Sequence, residues 1–222
     1  MWHLGAKDLI DIMHKHNGMV RCLAFTPDGR ILATGGDDRT IQFWDMTERQ
    51  VSMTLALDDT VAHPLIFSKD AKTLVTGNYR KIKVWRIYLK EEICSIDIKL
   101  QHSLTGHSHI VHSLALSKDG KILVSGSRDK KIKIWHLKRG ELLRTLEGHE
   151  DGVYAVALSQ NEQVIATGSA DKTIKLWHLE TGELLSTFTG HNNTVTALAF
   201  TEKGNTLVSG SLDKTIKIWQ RS

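Results

Sequence analysis

The sequence predicts an all-β chain in which one four-stranded antiparallel unit is used five times, and three observations predict it. First, Thr105 to Leu146 returns almost intact as Glu147 to Phe188 and again, shortened, from Thr189 to the end, so that Gly106-His107, Gly148-His149 and Gly190-His191 stand 42 residues apart. Second, all six tryptophans share one register: Trp2, Trp44, Trp85, Trp135, Trp177 and Trp219, at intervals of 42, 41, 50, 42 and 42. Third, IVHSLAL, KILVSGS, KIKIW and ELLRTL are short branched and apolar runs within one unit, split by turns such as Ser117-Lys118-Asp119-Gly120 and Arg139-Gly140. Self-similarity at a fixed period governs architecture before any local signal, and runs of this length between turn residues read as strands. A helical reading fails because no run keeps a 3.6-residue period over three turns and β-branched residues dominate.

Taken in order, the chain opens out of phase with its own repeat. Trp2 lies 14 residues before His16, as Trp135 lies before His149, so Lys7 to Met13 is expected to form the fourth strand of a unit whose first three are missing. Thr194 to Trp219 supplies three strands and stops, which makes the two ends complementary. The units fall near 14–55, 56–104, 105–146, 147–188 and 189–222 plus 1–13, read as a single domain over residues 1–222. Met19 to Leu55 is a good copy, although Lys15 stands where glycine should precede His16. Val61 to Leu104 is the divergent one. Asp58 takes the place of the histidine, GNYRKIKVW carries no aspartate, and 22 residues instead of 14 separate Trp85 from His107. The extra residues, around Tyr88 to Lys99, are expected in a surface loop, since closure entropy grows only logarithmically with length.

Bulk properties exclude more than they assert. A chain of 222 residues buries a substantial core. Its net charge of +4, from 29 basic and 25 acidic residues without a block of like charges, is weak support for nucleic acid. Two cysteines, Cys22 and Cys94, make no disulfide framework and point to reduced thiols in the cytoplasm. MWHLGAKDLID has neither a basic n-region nor an apolar run of signal-peptide length, and no run reaches a membrane span.

Gly-His near the start and Trp-Asp near the end of a unit of 41 to 50 residues resemble the WD-repeat (WD40-type) family. Only Trp44-Asp45 keeps the terminal dipeptide; the others read Trp-Arg, Trp-His, Trp-His and Trp-Gln. Likeness among the last three units resembles the recent duplication found in bacterial members. The resemblance implies a β-propeller of four-stranded blades, with the N-terminal strand completing the last. Two arrangements stay open: a closed five-bladed ring, or part of a seven-bladed one joined by missing blades or an upstream domain. Closure leaves only short, protected sheet edges.

The resemblance also implies, in each unit, a hydrogen-bonded set of His, Ser or Thr, Asp and Trp that ties the entering loop to the third strand. Carried over, the sets are His16, Thr34, Asp38 and Trp44; His107, Ser125, Asp129 and Trp135; His149, Thr167, Asp171 and Trp177; and His191, Ser209, Asp213 and Trp219. The second unit keeps only Thr76 and Trp85. Hydroxyl, imidazole and carboxylate together suggest a hydrolase using a central channel, but nucleophilic catalysis needs an exposed hydroxyl and an oxyanion site. Recurrence in four units fits structure better, and no catalytic residue is assigned. His107, His109 and His112 lack a Cys or carboxylate at ligand spacing, so neither metal nor cofactor is expected. Lys83, Lys133, Lys175 and Lys217 are expected to lay their stems over the sheet with their ammonium groups in water.

By the same resemblance, the partner-binding face comprises positions flanking the first-strand valine and preceding the set's aspartate. These are Met19, Arg21 and Asp37; His63; Ile110, His112 and Arg128; Tyr154; and Thr196 and Leu212, with Val61, Asn78, Gly152, Ala170 and Thr194 at the remaining equivalent positions. Aromatic and Arg residues among apolar ones suit a protein or peptide contact. The expected function is a non-catalytic interaction scaffold or regulatory module, with the hydrolase and a nucleic-acid binder using the basic surface as alternatives.

Overall fold

The computed structural model describes residues 12–57, 63–90, 95–201 and 206–220. Every regular element among them is a β-strand. The first blade is β1 (Val20–Phe25), β2 (Ile31–Gly36), β3 (Thr40–Asp45) and β4 (Gln50–Ala56), paired in that order. The second holds β5 (Leu65–Phe67), β6 (Thr73–Gly77) and β7 (Tyr79–Lys90), and is completed by the start of the long β8 (Ser95–Leu116). The end of β8 opens the third blade, followed by β9 (Ile122–Ser127), β10 (Ile132–His136) and β11 (Glu141–Leu146). The fourth is β12 (Val153–Leu158), β13 (Val164–Ser169), β14 (Ile174–His178) and β15 (Leu184–Phe188). The fifth shows β16 (Val195–Phe200), β17 (Thr206–Ser211) and β18 (Ile216–Gln220).

All pairings are antiparallel, and the register recurs. Trp44 faces Leu32, Trp135 faces Leu123, and Trp177 faces Ile165. The first strands of the first, third, fourth and fifth blades carry a bulge after the leading valine, at Val20/Cys22, Val111/Ser113, Val153/Ala155 and Val195/Ala197, whereas β5 pairs in continuous register. A bulge re-aims the side chain at the extra position, which here is Arg21, His112, Tyr154 or Thr196. The expected terminal strand at Lys7 to Met13 falls mostly outside the described residues; Ile12 and Met13 are irregular backbone.

Two expectations need correction. The extra residues between Trp85 and His107 extend a hairpin where a loop was expected, with Arg86 opposite Lys99, Tyr88 opposite Asp97 and Lys90 opposite Ser95. Their alternation explains it, because Ile87, Ile96 and Ile98 reach the apolar cluster of Ile41, Phe43, Leu65 and Trp85 between the first two blades. Two of the recurring lysines depart from the solvated face expected of them. Lys83 and Lys133 are buried. Lys133 Nζ donates to Thr145 Oγ1 at 2.7 Å and Lys175 Nζ to Thr187 Oγ1 at 3.1 Å, while Lys83 Nζ lies 5.6 Å from the Trp85 ring centroid. A hydroxyl directly across the strand pair holds the ammonium down.

The core lies between blades, since a blade cannot bury both faces alone. Val75, Ile82 and Val84 of the second blade meet Val111, Leu123 and Trp135 of the third. Ile132 and Ile134 meet Val153, Val156, Ile165 and Trp177 of the fourth. Ile174 and Ala166 then meet Val195 and Leu207 of the fifth. Each buried aliphatic side chain contributes about 1.5–3 kcal/mol. Close approach depends on a glycine in each second strand: a Cβ at Gly126 would lie 2.7 Å from Val153 Cγ1, and one at Gly168 would lie 2.6 Å from Val195 Cγ1.

Candidate protein-binding face

The loops at one end of the blades are tied down by hydrogen-bonded chains. In the third blade His107 Nδ1 lies 2.8 Å from Asp129 Oδ2 and Nε2 lies 2.8 Å from Ser125 Oγ, which accepts from Trp135 Nε1 at 2.9 Å. The fourth repeats this through His149, Asp171, Thr167 and Trp177 at 2.7, 2.8 and 2.9 Å, and the fifth through His191, Asp213, Ser209 and Trp219 at 2.7, 2.8 and 2.9 Å. In the first blade His16 meets Asp38 at 2.9 Å and Thr34 at 2.7 Å, with Trp44 donating to Thr34 at 2.9 Å. Among the described residues the second blade keeps a single link, Trp85 Nε1 to Thr76 Oγ1 at 3.1 Å. One assignment of protons satisfies every atom: Nδ1–H donates to the carboxylate, the hydroxyl donates to Nε2, and the indole donates to the hydroxyl oxygen.

Glycine before the histidine follows from packing. Gly106 and Gly148 have φ of 152° and 149°, and a Cβ there would lie 3.2 and 3.1 Å from the rings of Trp135 and Trp177. Left-handed backbone and close approach both favour glycine.

These chains present the face. Backbone hydrogen bonds join its positions in pairs: Asp37 N to Met19 O, Arg128 N to Ile110 O, Ala170 N to Gly152 O, and Leu212 N to Thr194 O, all at 2.9 Å. Across the second, third and fourth blades three rings form a row. The His63 and His112 rings meet edge-on at 6.4 Å, and His112 stacks on Tyr154 at 4.2 Å and 16°. Arg21 grips Asp37 through two hydrogen bonds of 2.8 and 2.7 Å. Exposed Thr196 and Leu212 continue the face in the fifth blade. Val61 lies outside the described residues, and Asn78 is buried, its carbonyl accepting from Val111 N at 3.1 Å.

Electrostatics differ between the ties and the row. Burial opposes ionisation of Asp129, but donors from His107 and the Ser108 backbone outweigh it and bring the carboxyl down to about 2. His112 is driven to about 4, first by burial and then by His63, Arg128 and His109. His63 moves the same way through burial and the charge of Arg21. The row therefore presents neutral imidazoles near neutral pH, with the guanidinium groups of Arg21 and Arg128 beside them.

Comparison with known protein families matches residues 7–45, 98–136, 140–178 and 182–220 to the WD domain, G-beta repeat family (WD40). The chain belongs to the WD-repeat family. The unmatched stretch between 45 and 98 holds most of the divergent second blade, where the His–Asp link is missing. WD-repeat proteins act as protein-interaction scaffolds. Similar proteins include protein tipD of Dictyostelium discoideum, 30% identical over 131 residues, covering 59% of this chain and 20% of that protein. Mitochondrial division protein 1 of Saccharomyces cerevisiae is 29% identical over 60% of this chain and 20% of its own length. Small ribosomal subunit protein RACK1y of Oryza sativa subsp. japonica is 29% identical over 61% of this chain and 40% of its own. The chain thus spans a fifth to two-fifths of these relatives.

Some participants in the WD ties were missed in the sequence. Backbone N–H groups of Asn17, Ser108, Glu150 and Asn192 each donate to the aspartate, and the hydroxyls of Thr40, Thr173 and Thr215 bond its other oxygen. The recurring Asp-Lys-Thr at 171–173 and 213–215 was the available signal. Tyr79 and His109, 5.3 Å apart with Arg80 over the tyrosine, also adjoin the row and were not picked out together.

Proposed function

We propose that this chain is a non-catalytic scaffold that docks another protein on the face built from Arg21, His63, His112, Arg128 and Tyr154, as a regulatory or sensory module of a larger protein or complex in the cytoplasm. The stacked, half-buried His112–Tyr154 pair carries the reading. It offers a rigid aromatic surface with a buried, unpartnered imidazole nitrogen at its base, the kind of anchor that concentrates binding energy. The four His–hydroxyl–Asp–Trp chains act as structural ties, in one domain of repeats. Ser125 and Thr167 are fully buried and engaged on both sides by imidazole and indole, which leaves no hydroxyl open to a substrate. Among the described residues no helix is long and apolar enough to cross a membrane.

The relatives' names place them in a ribosomal subunit, in mitochondrial division and, for nudF of Aspergillus flavus, in nuclear distribution. Shared fold therefore leaves the partner open. The test is affinity capture with the immobilised chain, comparing wild type with His112→Ala, Arg128→Glu and Tyr154→Ala. Loss of the same retained protein in all three, with unchanged melting temperature, supports the face; undiminished retention refutes it. Steeply salt-dependent retention of nucleic acid would favour the basic-surface reading instead.

A further inference from the structure

Among the described residues, both ends of the row of blades expose positions that are buried at the junctions into the third, fourth and fifth blades. Val111, Val153 and Val195 are 0% exposed, each set over a preceding blade, whereas Val20 at the same position is 53% exposed, with Leu23 and Phe25 beside it also exposed. At the other end, Ile216 and Ile218 are 76% and 69% exposed, while Ile132 and Ile134, their equivalents in the third blade, are 0% and 2%. Contiguous apolar surface of this kind marks an interaction site.

The two surfaces are halves of one joint. At internal junctions a first-strand valine enters the space above a second-strand glycine of the preceding blade: Val111 at Gly77, Val153 at Gly126 and Val195 at Gly168, with 3.1, 2.7 and 2.6 Å from a built Cβ to the valine methyl. Gly210 is the equivalent glycine of the fifth blade, and the nearest atom to a Cβ there is Ala197 Cβ of its own blade at 3.6 Å. Among the described residues no glycine receives Val20 and no valine sits over Gly210. The sequences agree: VRCLAF of β1 matches VTALAF of β16, which packs on the fourth blade, and IKIW at 216–219 matches the IKLW at 174–177 that receives it.

We propose that the chain associates head to tail with a second copy of itself, Val20, Leu23 and Phe25 of one copy packing on Gly210, Ile216 and Ile218 of the next. Because the two surfaces differ, the contact is heterologous, and successive copies extend the array or close it into a larger ring. The proposal does not depend on the protein-binding face, which lies on the loop ends.

Sedimentation of the intact chain over a wide concentration range tests it, using Val20→Lys and Ile218→Lys. Both residues are exposed within one chain, so the substitutions leave its fold intact, which thermal melts check. Wild type is expected to climb from the 24.9 kDa of one chain to multiples of it. Each variant alone should stay monomeric, because one half of the joint is lost, while an equimolar mix keeps one intact head and one intact tail and forms a dimer that grows no further. In parallel, amide exchange in 20–25 and 216–220 of wild type should slow as concentration rises. A wild-type chain that stays monomeric throughout, closing on itself or awaiting another polypeptide, overturns the proposal. So does association that survives either substitution, or a mixture that remains monomeric.

Discussion

The imidazole of His112 lies flat against the phenol ring of Tyr154, 4.2 Å between centroids, and its Nε2 is buried without a hydrogen-bond partner. Protonating it would place a charge in a half-buried site beside His63, Arg128 and His109, which is why its pKa falls to about 4. The unfolded chain, with an ordinary histidine pKa of about 6.5, binds the proton more readily than the folded one. Stability therefore rises with pH between about 4 and 6.5. Melting temperature measured across that window should rise less steeply in His112→Phe than in wild type, and equal slopes would contradict the assignment.

Asp129 gives the complementary pH dependence. Its carboxyl titrates near 2 in the fold, so the stability it confers is complete above the ordinary carboxylate value of about 4 and is lost as pH falls toward about 2. Acid titration followed by tryptophan fluorescence should show a shallower dependence in that window for Asp129→Asn, which starts from lower stability at pH 7.

Removing the hydroxyl at Thr167 strands two buried groups, His149 Nε2 and Trp177 Nε1–H. Each unpaired buried partner carries a desolvation penalty of about 1–3 kcal/mol, so Thr167→Val, which strands both, should cost at least about 2 kcal/mol in urea denaturation. Thr76→Val strands only Trp85 Nε1–H and should cost less. A reversed order would remove the structural role from the chain of hydrogen bonds.

The second blade should open first. Its inner strand β5 is three residues long and its loop lacks the His–Asp link, so few bonds oppose local opening. Hydrogen exchange of amides in Leu74 to Thr76 should run faster than in Ile165 to Thr167, the equivalent strand of the fourth blade.

Blade stacking makes one glycine intolerant and its counterpart tolerant. Gly168→Ala drives a methyl into Val195 and should destabilise by about 1–3 kcal/mol, the usual range for overpacking, with recovery when Val195→Ala is added. Gly210→Ala, with 3.6 Å to its nearest neighbour, should be close to neutral in dilute monomer. Thermal melts of the three variants check this.

Much of the blade was legible because the repeat writes it several times. A glycine whose Cβ would strike Trp135, a histidine between Asp129 and Ser125, and an indole reaching the same hydroxyl recur at fixed spacing, and only one local geometry explains all three. The positions of Arg21, His112, Tyr154 and Thr196 were legible, since the bulge after the first-strand valine recurs in four blades, but the stacking of His112 on Tyr154 was not, because it joins residues of different blades. Period-2 alternation in Ile87, Ile96 and Ile98 was present in the extra segment and was outweighed by its length. The recurrent lysines misled for a similar reason: alternation shows which face a side chain takes, while the threonine that holds its ammonium lies on the next strand.

The account rests on buried hydroxyls serving as structural acceptors, and the indole proton of Trp135 reports on this directly. Hydrogen exchange of that Nε1–H, followed by NMR in wild type and Ser125→Ala, is predicted to be slow in the first and fast in the second, with a fall in melting temperature. Rapid exchange in wild type, or a Ser125→Ala chain with the same protection and the same melting temperature, would contradict it.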